Sequence, residues 1–305
     1  MEGVFSRMNL GRLRILVPIL VAVGASLLGY AYFIEPNRLV VRPSEIAIRD
    51  LEPAFDGLRI VLISDIHGGS NNVTYEKLLE VTARANEQEA DLVLLLGDFV
   101  SELPGQRSAT SAIRMPVDRI AEGLAGLKGK LGVFAVLGNH DGGSGSRVTI
   151  ELERVGVRVL EDEVAVVAHQ GKELRLLGFK DHLEAGARWG RLPQDARRLL
   201  QGTGEGDIIA MQHSPDIMHF LTGESLLSPK LRLVVAGHTH GGQVWLPILG
   251  RAVIPSSYGQ QLAYGHVVEN DVDLFVTGGI GTSILPFRFM VPPEISVLTL
   301  RAANK

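Results

Sequence analysis

The chain has 305 residues, of which 46% are hydrophobic and 21% charged, a composition that sustains a buried core and argues against disorder. Its formal net charge is -4, so no broad basic surface for a nucleic acid or other polyanion is implied. It contains no cysteine, which excludes disulfides, thiolate nucleophiles, cysteine-ligated zinc and iron–sulfur clusters.

The first 14 residues form a polar lead. Ile15 to Ile34 is then a run of twenty residues without a charge, long enough to cross a hydrocarbon core as a helix. Tyr30, Tyr32 and Phe33 stand near its far end, where aromatic rings favour the membrane interface. Two other readings exist. A cleaved signal peptide would use Ala22 with Gly24 or Ala25 near the cut, and a buried core helix would need a polar face the run lacks. The apolar run continues well past those small residues, which favours an uncleaved anchor. Arg7, Arg12 and Arg14 before the segment balance Arg38, Arg42 and Arg49 after it. The preceding arginines lie closer, which leans towards a cytoplasmic N-terminus and a main domain outside the cytosol.

Residues 35–51 read as a connector, with Pro36, Pro43 and Pro53 opposing helix. Residues 52–305 read as one domain, since nothing Pro/Ser-rich divides them. Within it, short apolar runs each end in a polar motif. Leu58–Ser64 ends in Asp65-Ile66-His67, Leu92–Leu96 in Gly97-Asp98, and Val133–Leu137 in Gly138-Asn139-His140-Asp141. Ile208–Met211 ends near His213, and Leu233–Ala236 in Gly237-His238-Thr239-His240. Continuous apolar runs of this length suit strands buried on both faces. Between them lie helical stripes: Tyr75, Leu78, Leu79, Thr82 and Ala85; then Val117, Ile120, Leu124 and Leu127; then Val148, Leu152 and Val155, stopped at Gly156. Val164–Ala168 and Glu173–Leu177 flank a hairpin turn at Gln170-Gly171, and Leu274–Thr277 and Ile295–Leu300 are further strands. The alternation predicts an α/β architecture with mixed sheets.

In open α/β sheets, ligands bind beyond the carboxyl ends of the strands, where these motifs fall. Five of the nine histidines occupy those ends. Taken singly, Asp98 reads as a turn or cap residue, His213 as a structural histidine, and Asp65-x-His67 as an ordinary turn. Asn139-His140-Asp141 and the double imidazole of His238 and His240 are harder to explain without a ligand. Carboxylate, amide and imidazole donors without thiolate suit manganese, iron or zinc. Seven of them exceed one tetrahedral ion and suit two ions about 3.5–4 Å apart that share a carboxylate and activate a bridging water for in-line displacement at phosphorus.

The ordered set of five motifs resembles the calcineurin-like metallophosphoesterase superfamily over roughly residues 55–300. That resemblance implies a sandwich of two mixed β-sheets flanked by helices. It implies that Asp65, His67 and His240 hold one metal, that Asn139, His213 and His238 hold the other, and that Asp98 bridges them. His140 would protonate the leaving group or steady the transition state, and Asp141 would orient His140 through a hydrogen bond. Manganese is the ion expected to serve in vitro.

Gly241-Gly242-Gln243, Gly278-Gly279-Ile280-Gly281-Thr282, Arg288 and Pro292-Pro293-Glu294-Ile295 resemble the C-terminal pattern of a bacterial membrane-associated branch. That branch holds phosphodiesterases and a UDP-2,3-diacylglucosamine pyrophosphatase of lipid A synthesis. Gly178-Phe179-Lys180-Asp181 departs from it, where relatives often carry two adjacent acidic residues. The implied activity is hydrolysis of a phosphodiester or phosphoanhydride at a membrane, on a substrate that is lipid-linked or nucleotide-linked. The lipid A pyrophosphatase and a non-catalytic scaffold stand as alternatives. Arg107, Arg188, Arg191 and Arg251, in the loops Ser101–Met115, Lys180–Pro193 and Gly250–Gly265, could contact phosphate, although arginines on exposed loops are usually just solvated and these loops carry no readable code for a substrate.

Overall fold

The computed structural model describes residues 10–102, 113–181, 192–223, 226–251 and 254–303. Arg7, Arg107, Arg188 and Arg191 lie outside the described residues. The expected apolar helix is present as α1 (Leu10–Gly29), continued by a π-helical turn through Ile34. With the turns that follow it, the span Arg14–Asn37 is long and apolar enough to cross a membrane, and only 6% of its most apolar window is buried against the rest of the chain.

Two six-stranded sheets make up the rest. The first runs in the order β1 (Val40–Arg49), β14 (Glu294–Ala303), β2 (Arg59–Ile63), β3 (Leu92–Leu96), β4 (Gly132–Val136), β5 (Arg158–Val159). The second runs β12 (Gly265–Glu269), β13 (Val272–Val276), β9 (Leu231–Ala236), β8 (Asp207–Met211), β7 (Lys172–Gly178), β6 (Glu163–His169). Both are mixed. Strands β2 to β5 are parallel while β14 opposes β2, and β7, β8, β9 and β13 are parallel while β6 and β12 run against them.

Strand periodicity sorts the apolar residues into three layers. Ile60, Leu62, Leu92, Leu94 and Leu96 face the second sheet and meet Leu174, Leu176, Ile209, Leu233 and Val235. Their alternates Val61, Ile63, Val93 and Leu95 face α2 (Tyr75–Asn86), α3 (Val117–Leu124) and α4 (Gly145–Arg154). On the far side, Ile208, Ala210, Val234 and Ala236 pack under α5 (Leu192–Leu199) and α6 (Met218–Leu221). The result is helix on sheet on sheet on helix, as the resemblance implied. A short hairpin, β10 (Trp245–Leu246) with β11 (Gly250–Arg251), stands apart from both sheets.

Three details differ from expectation. The segment read as a connector contains β1, which pairs with β14 in a parallel ladder from Val40↔Glu294 to Arg49↔Ala303. Pro43 is tolerated because β1 is an edge strand, where a missing N–H breaks no ladder on the open side. On α2 the buried stripe is Leu78, Val81, Thr82 and Ala85, whereas Leu79 is 45% exposed. Leu127 lies beyond the end of α3 and is only partly buried against the core. The Gln170-Gly171 turn is as expected. Both residues have positive φ (48° and 77°), the backbone of a two-residue hairpin whose twist matches its strands.

Leu94→Ala empties a site between the sheets and should cost about 2–5 kcal/mol in chemical denaturation, whereas Leu79→Ala should stay within about 0.5 kcal/mol. Equal losses would contradict the assigned layers.

Candidate metal centre

The carboxyl ends of β2, β3, β4, β8 and β9 converge, and the loops that follow them are laced together by backbone bonds. The N–H groups of Asp65, His67 and Gly68 donate to the carbonyls of Gly97, Asp98 and Phe99 at 2.9, 2.9 and 2.8 Å. Glycine is required where these loops touch. A Cβ on Gly97, which has φ +87°, would lie 2.6 Å from Gly138 N, and a Cβ on Gly138 would lie 2.5 Å from Asp98 N. Gly237, after β9, has the same role across the sheets: a Cβ there would sit 2.6 Å from Asp65 Oδ2.

Asp65, His67, Asp98, His213 and His240 are buried, while Asn139, His140 and His238 are half-exposed and line a cleft of about 160 Å³ together with Asp98 and His240. The donors fall into overlapping groups. Asp65, His67 and His240 form one, with His67 Nε2 3.2 Å from His240 Nε2 and His240 Nε2 3.4 Å from Asp65 Oδ1. Asp98, His213 and His238 form another, with His238 Nδ1 3.1 Å from His213 Nε2. Asp98 Oδ2 lies 3.4 Å from His67 Nε2 and 3.2 Å from His213 Nε2, so one carboxylate oxygen is common to both.

The polar atoms are poorly matched to one another without a cation. His67 Nδ1 and His213 Nδ1 face the carbonyls of Val100 and Leu96 at 3.2 and 2.7 Å. Those contacts turn Nε2 of each ring inward, towards the other donors. Asp65 Oδ1 and Asn139 Oδ1 are buried with no hydrogen-bond partner. Leaving such oxygens unsatisfied is costly, and a divalent ion satisfies them. Nitrogen and oxygen donors of this kind fit manganese, iron or zinc.

The electrostatics record the same crowding. Burial, then the Asp98 charge, pushes the Asp65 carboxyl up to about 6. Burial lowers His67 to about 4 and takes His240 well below the usual range, the latter helped by His67 and Arg288. Burial would also lower His213, but the Asp98 carboxylate against it wins and raises it to about 10; Asp98 in turn is held well below the carboxylate range, mainly by His213 against its own burial.

Asp141 differs from its expected task. Its carboxylate accepts the backbone N–H groups of Asp98 (2.9 Å), Phe99 (2.8 Å), Val100 (3.1 Å) and Gly138 (2.9 Å), and its geometry is spent on joining the β3 and β4 loops, with no bond to His140. His140 is instead steadied through its own N–H, which donates to Asp98 Oδ1 at 2.8 Å, and its Nδ1 looks towards Glu102 Oε2 at 3.9 Å. Glu102 and the cleft-lining Pro255, Ser283 and Ile284 carry no motif that would single them out. Arg288 is fully buried. It donates to the carbonyls of Gly278 (2.9 Å), Gly281 (2.6 Å) and Val291 (3.1 Å), and its Nη2 stands 3.4 Å from His240 Nδ1. Burial lowers its pKa to about 10. Arg251 is engaged in structure, bonded to the Gly241 carbonyl and stacked 4.4 Å over Tyr264.

The sequence model for calcineurin-like phosphoesterases matches residues 58–242. The chain is 29% identical over 280 residues to YkuE of Bacillus subtilis, described as an uncharacterized metallophosphoesterase, covering 90% of each. It is 27% identical to the phosphodiesterase YaeI of Escherichia coli, over 89% of this chain and 92% of that one. It is also 31% identical to a transmembrane protein with metallophosphoesterase domain from Danio rerio, over 85% of this chain but 56% of the longer protein.

Asp141→Ala strips four buried amides of their acceptor and should lower stability by about 2–4 kcal/mol, read by denaturant unfolding. Unchanged stability with only kcat reduced would restore an orienting role towards His140.

Proposed function

The chain belongs to the calcineurin-like phosphoesterase family, and from that premise we propose that it is a membrane-anchored hydrolase of a phosphodiester or phosphoanhydride bond, working with two divalent metal ions. The observation that carries this reading is the convergence of seven nitrogen and oxygen donors, two of whose oxygens are buried without a hydrogen-bond partner. In it, Asp65, His67 and His240 hold one ion, Asn139, His213 and His238 hold the other, and Asp98 serves both. Two such ions supply an acidified water and a clamp for the attacking and leaving oxygens at phosphorus.

The protein's own groups do the rest. Asp141 fixes the spacing of the β3 and β4 loops, and so keeps Asp98 between the two sets of imidazoles. The Leu96 and Val100 carbonyls orient His213 and His67. His140 stands at the cleft with its ring centroid 4.9 Å from that of His67, free on its open side to meet an entering phosphoester. In this reading it gives a proton to the leaving oxygen, and Glu102 Oε2 stands 3.9 Å from its Nδ1.

Anchoring is supported by the apolar span Arg14–Asn37 and by the transmembrane description of the zebrafish relative. The proposed organisation keeps residues 1–34 as lead and anchor, with the catalytic domain following residue 51 and borrowing β1 to complete its first sheet.

The full-length chain in detergent, loaded with manganese, should cleave an aryl phosphodiester and stop on chelation. Persistent inactivity with manganese, zinc and iron alike would sink the enzyme reading. His140→Ala should lower kcat about 10²–10⁴-fold while elemental analysis still finds two ions per chain. A reporter active only after export, fused behind Lys305, should give signal; silence there, with signal from a cytosolic reporter, would reverse the proposed orientation.

A further inference from the structure

The cleft is walled on one side by Gln243, Pro255, Ser283 and Ile284. Two of the segments that carry these residues are joined to the end of the apolar helix. Trp245 N–H donates to the Phe289 carbonyl at 2.9 Å, and Val244 bridges Phe289 in parallel. The Phe289 ring meets that of Tyr30 edge-on at 6.4 Å, and Arg288 N–H donates to the Ala31 carbonyl at 3.1 Å. Asn71 Nδ2 ties the carbonyls of Tyr32 and Pro286 together at 3.0 and 2.6 Å. The helix exit, residues 283–290 and the β10–β11 hairpin are therefore one connected body at the mouth of the cleft.

That body is apolar where it meets solvent. Ile248 and Leu249 at the hairpin tip are 105% and 74% exposed, and Ile284 is 64% exposed; Trp245 and Met290 add to them. Phe33 and Ile34 at the helix end are exposed as well. Elsewhere among the described residues beyond the helix, exposed large apolar side chains such as Leu79, Ile150 and Val268 stand on separate elements. Exposed apolar side chains gathered on one connected body call for a cover. Ile248 sharpens the point. Its φ is +84°, a conformation that a β-branched residue adopts only under strain, and its side chain touches little of the protein. Folding alone would favour glycine or asparagine there.

The depth of this rim is set by the helix. Tyr30 Oη and Arg38 Nη1 bond at 2.6 Å at the helix exit, a pairing suited to the level where headgroups begin. The rim is attached at that level, through Phe289 on Tyr30. We propose that the hairpin tip, with Ile284 and Met290, rests in the headgroup layer of the bilayer that α1 crosses. The cleft then opens on the membrane surface and takes a phosphoester carried by an embedded amphiphile. This inference rests on the anchoring proposed above.

The absence of cysteine makes the test direct, since a single introduced thiol carries a fluorophore uniquely. The full-length chain is labelled in turn at Ile248→Cys, at Ile150→Cys on α4 and at Val21→Cys on α1, then reconstituted in phosphatidylcholine vesicles containing brominated lipid. Labels at 248 and 21 should lose about half their emission or more, as groups at or below the interface do, and the label at 150 should lose none. Quenching at 21 but not at 248 overturns the rim and leaves the anchor standing. No quenching at 21 or 248 removes both. A label at 248 shielded from aqueous iodide yet untouched by brominated lipid means a protein covers the tip, which also overturns the proposal. In parallel, Ile248→Ser with Leu249→Ser should slow cleavage of a long-chain alkyl nitrophenyl phosphodiester held in the vesicles about tenfold, and that of soluble bis-nitrophenyl phosphate less than about twofold. Equal loss on both substrates would contradict a membrane role.

Discussion

Everything at the metal centre depends on how closely two β-sheets approach at their carboxyl ends. Below that edge the sheets are held apart by leucine, isoleucine and valine side chains, at the usual spacing of packed layers. At the edge the apolar filling stops and polar contacts cross the gap. Asp65 Oδ2, on the first sheet, accepts the His238 N–H of the second at 3.0 Å, and His213, on the second, reaches back to the Leu96 carbonyl of the first at 2.7 Å. Gly237 lets this happen, because any side chain there would collide with Ser64 and Asp65. Donors from five strands can share one small volume only because the layers close like a hinge at this end.

The same closeness is stored as backbone strain. Asp65, His67, Asp98, His238 and His240 all have positive φ, between 45° and 69°. Aspartate and histidine tolerate this region better than most residues, yet each such position costs about 1–3 kcal/mol and persists only when its surroundings over-determine it. Here the surroundings are Asp141 with its four amides, Arg288 with its carbonyls, and the bonds linking the β2 and β3 loops. The strain aims the donors inward in advance, so little rearrangement is needed when a cation arrives.

Much of this was legible in the residues. The strands around the site announce themselves as unbroken apolar runs, because burial on both faces removes the alternation that elsewhere confuses strand with helix. The motifs then follow from where each run stops. What escaped has physical reasons. Strand β1 is partly exposed and carries Pro43, and its alternation is confined to Ile46 and Ile48 at its far end; its identity comes from β14, far along the chain. Leu79 fits a helical stripe by spacing, but Val81 takes the buried place because α2 is rotated by its packing on the first sheet. Asp141 stands beside His140 in sequence and was expected to serve it, yet loop geometry turns its carboxylate to backbone amides. Glu102 comes beside His140, and Ile284 reaches the cleft, through loop conformations that no local pattern encodes.

The pairing of β1 with β14 has a consequence for how the protein is made. Strand β1 begins six residues after the apolar segment ends, and its partner starts at Glu294. At roughly 5–20 residues per second, a ribosome needs tens of seconds to reach β14 after β1 has emerged. Until then β1 is an unpaired strand, and β14, which also seats β2, is missing from between the two. The first sheet is therefore completed only once β14 has been made, by a contact of very high sequence separation that is intrinsically slow to form.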